Sequence, residues 1–258
     1  MAGLLIVNAD DWGGDRVSTD RIARCFDAGA VTSSTAMVHM ADSERAAELA
    51  RGRDLALGLH LNVTQPFDGA GVPGSARDRQ ARVAAALAGP GVGRLLTGPA
   101  LRRDVRATIA DQLARFGELY GRTPTHIDGH QHGHLRALVL SSLPRGSRLR
   151  PAHTYRGAPH SLGGRVRRLR HALLARRFVT PDYFYAIESI HPELGGSGLQ
   201  GVLARSRDSV VEIMVHPDRP RDFELLISGG WRELLQGATL GSYEHLPGGG
   251  VTPPPASS

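Results

Sequence analysis

The sequence predicts an α/β protein with mainly parallel strands, arranged as a TIM-like (β/α) barrel that is regular, distorted or incomplete. Short apolar runs alternate with segments of helical periodicity along the 258 residues, and this alternation is typical of βα units. The number of repeats favours a barrel over an open sheet. The length and the 41% hydrophobic content fit one large domain, which we place at residues 1–246.

The first half of the chain contains three predicted strands separated by helices. LLIVNADD at 4–11 is an apolar run of strand length. A helix is predicted at 18–30, because serine or threonine can cap its start and glycine can end it. The other elements predicted here are a strand at 31–38, a helix at 43–52 and a strand at 55–63.

The second half begins with a Gly/Pro-rich loop at 65–74, after which helical segments continue to near residue 120. Strands are predicted at THID, 125–128, and at RDSVVEIMVHP, 207–217. Helices are predicted at LRALVLSSL, RDFELLIS and WRELLQGA. The final PGGGVTPPPASS at 247–258 is too poor in apolar residues to pack, so we expect a disordered tail.

A basic segment at 165–177, RVRRLRHALLARR, raises the question of an anionic or nucleic-acid partner in a chain of net charge +6. Its apolar residues recur at helical spacing, which predicts an amphipathic helix with these residues buried and the arginines solvated. They are Val166, Leu169, Leu173 and Leu174. Aromatic residues that could stack on bases are few and no nucleic-acid motif is present, so we expect no nucleic-acid partner.

The chain has no run of eighteen apolar residues, and its N-terminal segment lacks the features of a signal peptide. Its single cysteine, Cys25, excludes an internal disulfide framework and a Cys-rich zinc site. The helical pattern around Cys25 predicts a core position. We therefore expect a cytoplasmic protein without membrane insertion, and the sequence allows a homodimer.

Polar residues with metal-binding or acid/base chemistry follow four of the predicted strands. In a (β/α) barrel the site is built at the C-terminal ends of the strands, so these positions are the candidates. The neighbouring carboxylates of Asp10 and Asp11 repel each other, and a cation would compensate them. A helix N-cap would explain one isolated acid but not a pair joined by histidines. The candidates are Asp10, Asp11, His60, Asn62, Asp128, His130 and His216.

The stretch THIDGHQHGH at 125–134 holds four of the twelve histidines. Its position between a turn and a predicted helix does not fit a purification tag or a flexible His-rich tract. Neutral imidazole is the commonest metal ligand, so the stretch predicts a metal centre completed from other strand ends. One carboxylate and two histidines would leave coordination positions open, as catalytic sites do.

Several chemistries share this ligand set. Fe(II) oxygenases use two histidines and one carboxylate, and His126-x-Asp128 with a distant His216 satisfies their spacing. Metal-dependent hydrolases use the ion to lower the pKa of water and to polarise a carbonyl. The alternation of helices and strands favours a hydrolase, because the oxygenase motif usually lies in an all-β barrel. A non-catalytic anion or nucleic-acid binder using residues 165–177 is the third alternative.

Five segments, in order along the chain, resemble the YdjC-like carbohydrate deacetylases, the family that includes chitooligosaccharide deacetylases. They are VNADDWG, TSSTAMV, GLHLNVT, FGELYGRTPTHIDGHQHGH and VEIMVHP, and the likeness spans residues 3–245. Trp12 stands where the family usually has phenylalanine, and Gln131 and Gly133 stand in the His-rich loop. These departures would alter the fit of a substrate and leave the metal ligands intact.

The resemblance implies removal of the N-acetyl group from an N-acetylated amino sugar, such as a chitooligosaccharide or an amino-sugar glycoside, to give a free amine and acetate. It implies an Asp-His-His site for a divalent metal ion, Zn²⁺ or Mg²⁺, held by Asp11, His60 and His130. It also implies Asp10 as the general base and His216 as the general acid. Residues expected to orient a ligand or contact substrate are Asn62, Asp128, His132, His134 and Trp12.

Overall fold

The computed structural model describes residues 3–88, 98–151 and 162–247. The strands are β1 (Leu4–Trp12), β2 (Ser33–Ala36), β3 (Leu57–Leu61), β4 (Ile127–Gly129), β5 (Tyr183–Ala186) and β6 (Val210–Val215). They form one sheet in the order β4-β3-β2-β1-β6-β5, and every pair is parallel. Nearly every strand residue is buried, which is typical of a parallel sheet covered on both faces. The predicted α/β class is confirmed.

The described α-helices lie between these strands or follow the last one. They are α1 (Arg16–Asp27), α2 (Ser43–Ala50), α3 (Gly74–Ala88), α4 (Pro99–Tyr120), α5 (Ala137–Ser142), α6 (Leu162–Ala175), α7 (Ile187–Ile190), α8 (Leu199–Arg205), α9 (Pro220–Leu226) and α10 (Gly229–Leu235). Helix α1 begins before its predicted start because Asp15 caps it, accepting a hydrogen bond from the backbone N–H of Ser18. Helix α4 ends at Gly121, whose φ of 65° suits glycine.

The sheet pairing continues past β4 through an extended segment at 147–150. Ile127 of β4 pairs with Leu149, and Arg148 pairs with Val179, both as parallel bridges. Since Val179 lies shortly before β5 in the chain, the pairing runs from β4 round towards β5. The sheet thereby curls into a distorted (β/α) barrel, as the sequence predicts.

The main hydrophobic core lies between the sheet and its helices and includes Cys25, as predicted. Burial raises the pKa of the Cys25 thiol to about 12, so it stays protonated at neutral pH. Among the described helices, none combines the length and hydropathy that a membrane span requires. Apart from Pro247, the predicted disordered tail lies outside the described residues.

The helix predicted in the basic segment forms as α6, but the prediction of its buried face is wrong. Val166, Leu169 and Leu173 are 50%, 62% and 53% exposed, whereas Leu174 packs against the main core. Helical spacing identifies an apolar face on α6. Whether that face meets the core depends on where the helix docks, which the spacing does not encode.

Candidate active site and metal centre

At the carboxyl end of β1, the neighbouring carboxylates of Asp10 and Asp11 contact different partners. The strand register shifts between Ala9 and Trp12, and Asp11 adopts a φ of 72°. A non-glycine residue in this region costs about 1–3 kcal/mol, and such residues cluster at functional sites. As a result Asp10 contacts Arg150, whereas Asp11 contacts two histidines.

Asp11, His60 and His130 form a group of possible metal ligands. Oδ1 of Asp11 lies 3.2 Å from Nε2 of His60 and 3.2 Å from Nδ1 of His130. The two imidazole rings are nearly perpendicular, with centroids 5.5 Å apart. Three strand ends supply these residues, because His60 belongs to β3 and His130 directly follows β4. One carboxylate and two imidazoles suit Zn²⁺ and other divalent ions.

Asp128 and Thr35 fix the orientation of His60. Nδ1 of His60 lies 2.7 Å from Oδ1 of Asp128, and the Thr35 hydroxyl donates to Oδ2 of Asp128 over 3.0 Å. This contact leaves Nε2 of His60 facing Asp11, in the manner of a metal-ligating histidine held by a carboxylate at its other nitrogen. Burial lowers the pKa of His60, but Asp128 and Asp11 outweigh burial and raise this pKa well above its ordinary value. The residues therefore fit a divalent metal ion, since the group favours positive charge and offers three convergent ligand atoms.

A wholly buried arginine, Arg150, holds three carboxylates behind this group. Nη1 and Nη2 donate to the two oxygens of Asp10 over 2.7 and 2.6 Å. Nη1 also lies 2.8 Å from Oδ2 of Asp128, and Nε donates to Oε1 of Glu212 over 2.8 Å. Burial raises the pKa of Asp10, but Arg150 outweighs burial and holds this pKa well below its ordinary value. Asp10 is therefore an ionised carboxylate of fixed direction.

A cavity of about 360 Å³ lies in front of these residues. His216, which follows β6, is on its wall with Nε2 3.9 Å from Oδ2 of Asp10. The backbone N–H of His216 donates to Asp222 of α9. Six sequence-predicted residues line this cavity: Asp10, Asp11, His60, His130, His132 and His216.

The other predicted residues lie behind the cavity wall. Trp12 is wholly buried in the main core. The Asn62 side chain accepts hydrogen bonds from two backbone N–H groups of the loop after β3. The backbone carbonyl of Arg150 accepts a hydrogen bond from Nε2 of His134 over 3.0 Å. Burial lowers the pKa of His134 to about 3, so its ring is neutral. These three residues support the surrounding structure.

The spacing considered for an Fe(II) oxygenase does not correspond to a cluster in the described structure. His126 is wholly buried and stacks on Tyr243, with ring centroids 3.6 Å apart. It belongs to none of the possible metal-ligand groups among the described residues. The role of His126 is therefore packing.

Sequence reasoning missed several site residues. Arg150 follows no recognisable apolar run, and Thr35 is a threonine, a residue type common in strands, so it gave no signal of a site. Glu212 did offer a signal, since it is the one charged residue in the strand VVEIMV. A carboxylate inside a strand that is buried on both faces needs a partner, which here is Arg150.

A sequence profile of the YdjC-like protein family matches residues 4–237. The chain belongs to the YdjC-like family. The carbohydrate deacetylase of Homo sapiens is 40% identical over 141 residues, 51% of this YdjC-like chain and 41% of that protein. The chitooligosaccharide deacetylase of Escherichia fergusonii is 36% identical over 137 residues, 52% of each chain. The match thus spans about half the length of these curated relatives.

One solved structure resembles this YdjC-like chain over most of its length. It is a protein of Enterococcus faecalis V583, described as a candidate cellobiose-phosphate cleavage protein. The TM-score is 0.67 at 23% identity, and the match covers 95% of this chain and 98% of the other. At this identity the likeness establishes the fold alone.

Proposed function

We propose that this chain is a metal-dependent carbohydrate N-deacetylase that converts an N-acetylated amino sugar into the free amine and acetate. The observation that carries the proposal is the Asp11–His60–His130 group, which opens into a cavity shared with Asp10 and His216. The names of the curated relatives, carbohydrate deacetylase and chitooligosaccharide deacetylase, support the substrate class.

Asp11, His60 and His130 would hold the divalent ion. When bound, the ion would lower the pKa of a water molecule and polarise the substrate carbonyl. Two imidazoles favour Zn²⁺ over Mg²⁺, because Mg²⁺ prefers an octahedral shell of oxygen atoms.

Asp10 is the proposed general base. Its two oxygens are held by Arg150, and Asp10 lies on the cavity wall beside the ligand group. A carboxylate whose pKa is so low is a weak base, so it can remove only a proton that is already acidic. Arg150 thus fixes the direction of Asp10 and reduces its basicity.

His216 is the proposed general acid. Amide cleavage requires protonation of the leaving nitrogen, because an amide anion is a very poor leaving group. His216 lies beside Asp10 on the wall of the same cavity, with Nε2 3.9 Å from Oδ2, so the group that removes a proton and the group that donates one would act close together. Histidine is the side chain that most often serves as a general acid or base in enzymes.

The test is acetate release from N-acetylglucosamine, chitobiose and N-acetylated aminoglycosides by Zn²⁺-loaded protein. We expect release by the wild type and a loss of roughly 10²–10⁴-fold in Asp10→Asn, the range attributed to general-base catalysis. His171→Ala, on α6 and away from the cavity, is the control and should retain activity. A wild type that binds one Zn²⁺ but releases no acetate from any of these compounds would contradict the N-deacetylase proposal.

A further inference from the structure

A line of buried polar contacts runs through the barrel from the C-terminal segment to the proposed base. The hydroxyl of Tyr243 donates to Oε2 of Glu212 over 2.6 Å. Oε1 of Glu212 accepts from Nε of Arg150 over 2.8 Å, and Arg150 in turn holds both oxygens of Asp10. All four residues are at most 3% exposed. We call Tyr243, Glu212, Arg150 and Asp10 the polar column.

Glu212 is one of the two carboxylates besides Asp10 that orient the guanidinium of Arg150. A guanidinium is planar, so a bond at Nε constrains the directions of the two Nη groups. Phe184 lies against its face, with the Arg150 Cζ atom 5.1 Å from the ring centroid, but an aromatic face does not set the rotation within the plane. Glu212, which accepts from Nε, sets that rotation together with Asp128, which lies 2.8 Å from Nη1.

Tyr243 in turn holds Glu212. Its ring stacks on His126 at an angle of 4°. Two backbone hydrogen bonds join the segment before it to β1: the N–H of Leu5 donates to the carbonyl of Thr239, and the N–H of Gly241 donates to the carbonyl of Leu5. The Tyr243 hydroxyl therefore has a fixed position from which it binds the second oxygen of Glu212. A buried carboxylate oxygen without a donor would carry a large desolvation cost.

We infer that Glu212 and Tyr243 are positioning residues for the deacetylation, because they fix Arg150 and through it the direction of the Asp10 carboxylate. Neither residue lines the cavity, so neither contacts a substrate there. The expected effect of these residues on catalysis rests on the proposed function. Their effect on the orientation of Arg150 does not depend on it.

Tyr243→Phe tests the inference, because it keeps the ring on His126 and removes the hydroxyl. The matched control is Tyr185→Phe on β5, a tyrosine 2% exposed whose hydroxyl accepts from Arg205, outside the polar column. With Zn²⁺-loaded protein we expect kcat to fall roughly tenfold in Tyr243→Phe with KM changed less than about twofold, since a misdirected catalytic group slows the chemical step. We expect no change in kcat for Tyr185→Phe.

A double-mutant cycle with Glu212→Gln separates positioning from a general loss of stability. If Tyr243 acts through Glu212, the loss of kcat in the double variant should be smaller than the product of the two single losses, because both substitutions weaken the same path. Independent structural damage would instead multiply the two losses. Glu212→Gln also provides the measurement if Tyr243→Phe does not fold.

A second readout needs no substrate. The Nε–H of Arg150 should exchange slowly with solvent in the wild type, as followed by ¹⁵N NMR of arginine side chains, and at least about tenfold faster in Tyr243→Phe or Glu212→Gln. A wild type that releases no acetate would contradict only the proposed function. The exchange rate of the Arg150 Nε–H would still test whether Glu212 and Tyr243 fix this arginine. Unchanged exchange in these variants would overturn the inference, with or without a fall in kcat. Wild-type kcat in both variants would overturn it as well.

Discussion

His126, His130 and His134 lie within nine positions and perform different tasks. The ring of His130 contacts Asp11 at the cavity. His126 packs on an aromatic ring, and His134 binds a backbone carbonyl. Burial lowers the pKa of His126 well below its ordinary value, which is the opposite of the shift in His60 beside its two carboxylates. Local charge and burial, not residue type, decide which imidazole is suited to hold a cation.

Asp128→Asn tests the support of the ligand group at the residue scale. The substitution removes the charge that holds Nδ1 of His60, and loss of such a partner typically costs 10–100-fold in metal affinity. We therefore expect roughly this loss in Zn²⁺ affinity by isothermal titration calorimetry. The control is Asp104→Asn, which removes a surface carboxylate paired with Arg82. Equal Zn²⁺ affinities in the two variants would contradict the role given to Asp128.

At the scale of elements, the fit of β3 against β4 depends on one small residue. A Cβ added at Gly58 would lie 2.4 Å from Nδ1 of His126 and 2.9 Å from its backbone oxygen. The flat ring of His126 fills that space and reaches the aromatic ring of Tyr243. Gly58 thus allows the ring of His126 to fill the barrel interior.

We expect Gly58→Ala to lower the free energy of unfolding by about 1–3 kcal/mol, because the extra carbon overpacks the interior. Gly117→Ala in α4 is the matched control, since a Cβ there meets no atom within 4 Å. That control should raise the free energy of unfolding by roughly 0.5–1 kcal/mol, as alanine is the better helix former. Urea unfolding of both variants provides the measurement, and equal effects would contradict the packing argument.

Across the whole molecule, buried titratable groups couple stability to pH with opposing signs. His134 has a pKa of about 3 in the folded chain and close to 6.5 unfolded. Its contribution is present above pH 6.5 and is lost as the pH falls towards 3, because the unfolded chain binds the extra proton. Glu212 opposes this trend, because burial is the largest influence on its pKa and raises it to about 7 in the folded chain. Between pH 4.5 and 7 the folded chain therefore binds more protons at this residue than the unfolded chain does.

His134→Gln isolates the histidine contribution, since the amide can still donate to the carbonyl of Arg150. We expect the fall in thermal midpoint between pH 7 and pH 5 to be smaller in the variant than in the wild type. Glu212 is present in both proteins and cancels in the comparison. An identical pH dependence of the two midpoints would show that His134 does not titrate on unfolding.

The sequence alone determined the α/β class, the strands that carry the site and the family. These features are local, because apolar runs and helical periodicity report burial one segment at a time. The site residues lie within the last three residues of their strands or directly follow them: Asp10, Asp11, His60, His130 and His216. One domain at 1–246, a cytoplasmic location and a homodimer stay predictions of the sequence.

Only the tertiary structure decided which of those residues meet and what holds them. Arg150 comes from a segment without a strong pattern, and it reaches Asp10 only because the sheet curls to bring the two together. Likewise, helical periodicity predicts that the apolar face of α6 is buried, whereas most of this face is exposed. Periodicity does not indicate which element, if any, packs on a helix face. Charge pairs between residues far apart in sequence depend on how the whole sheet curls, so the spacing around either residue does not predict them.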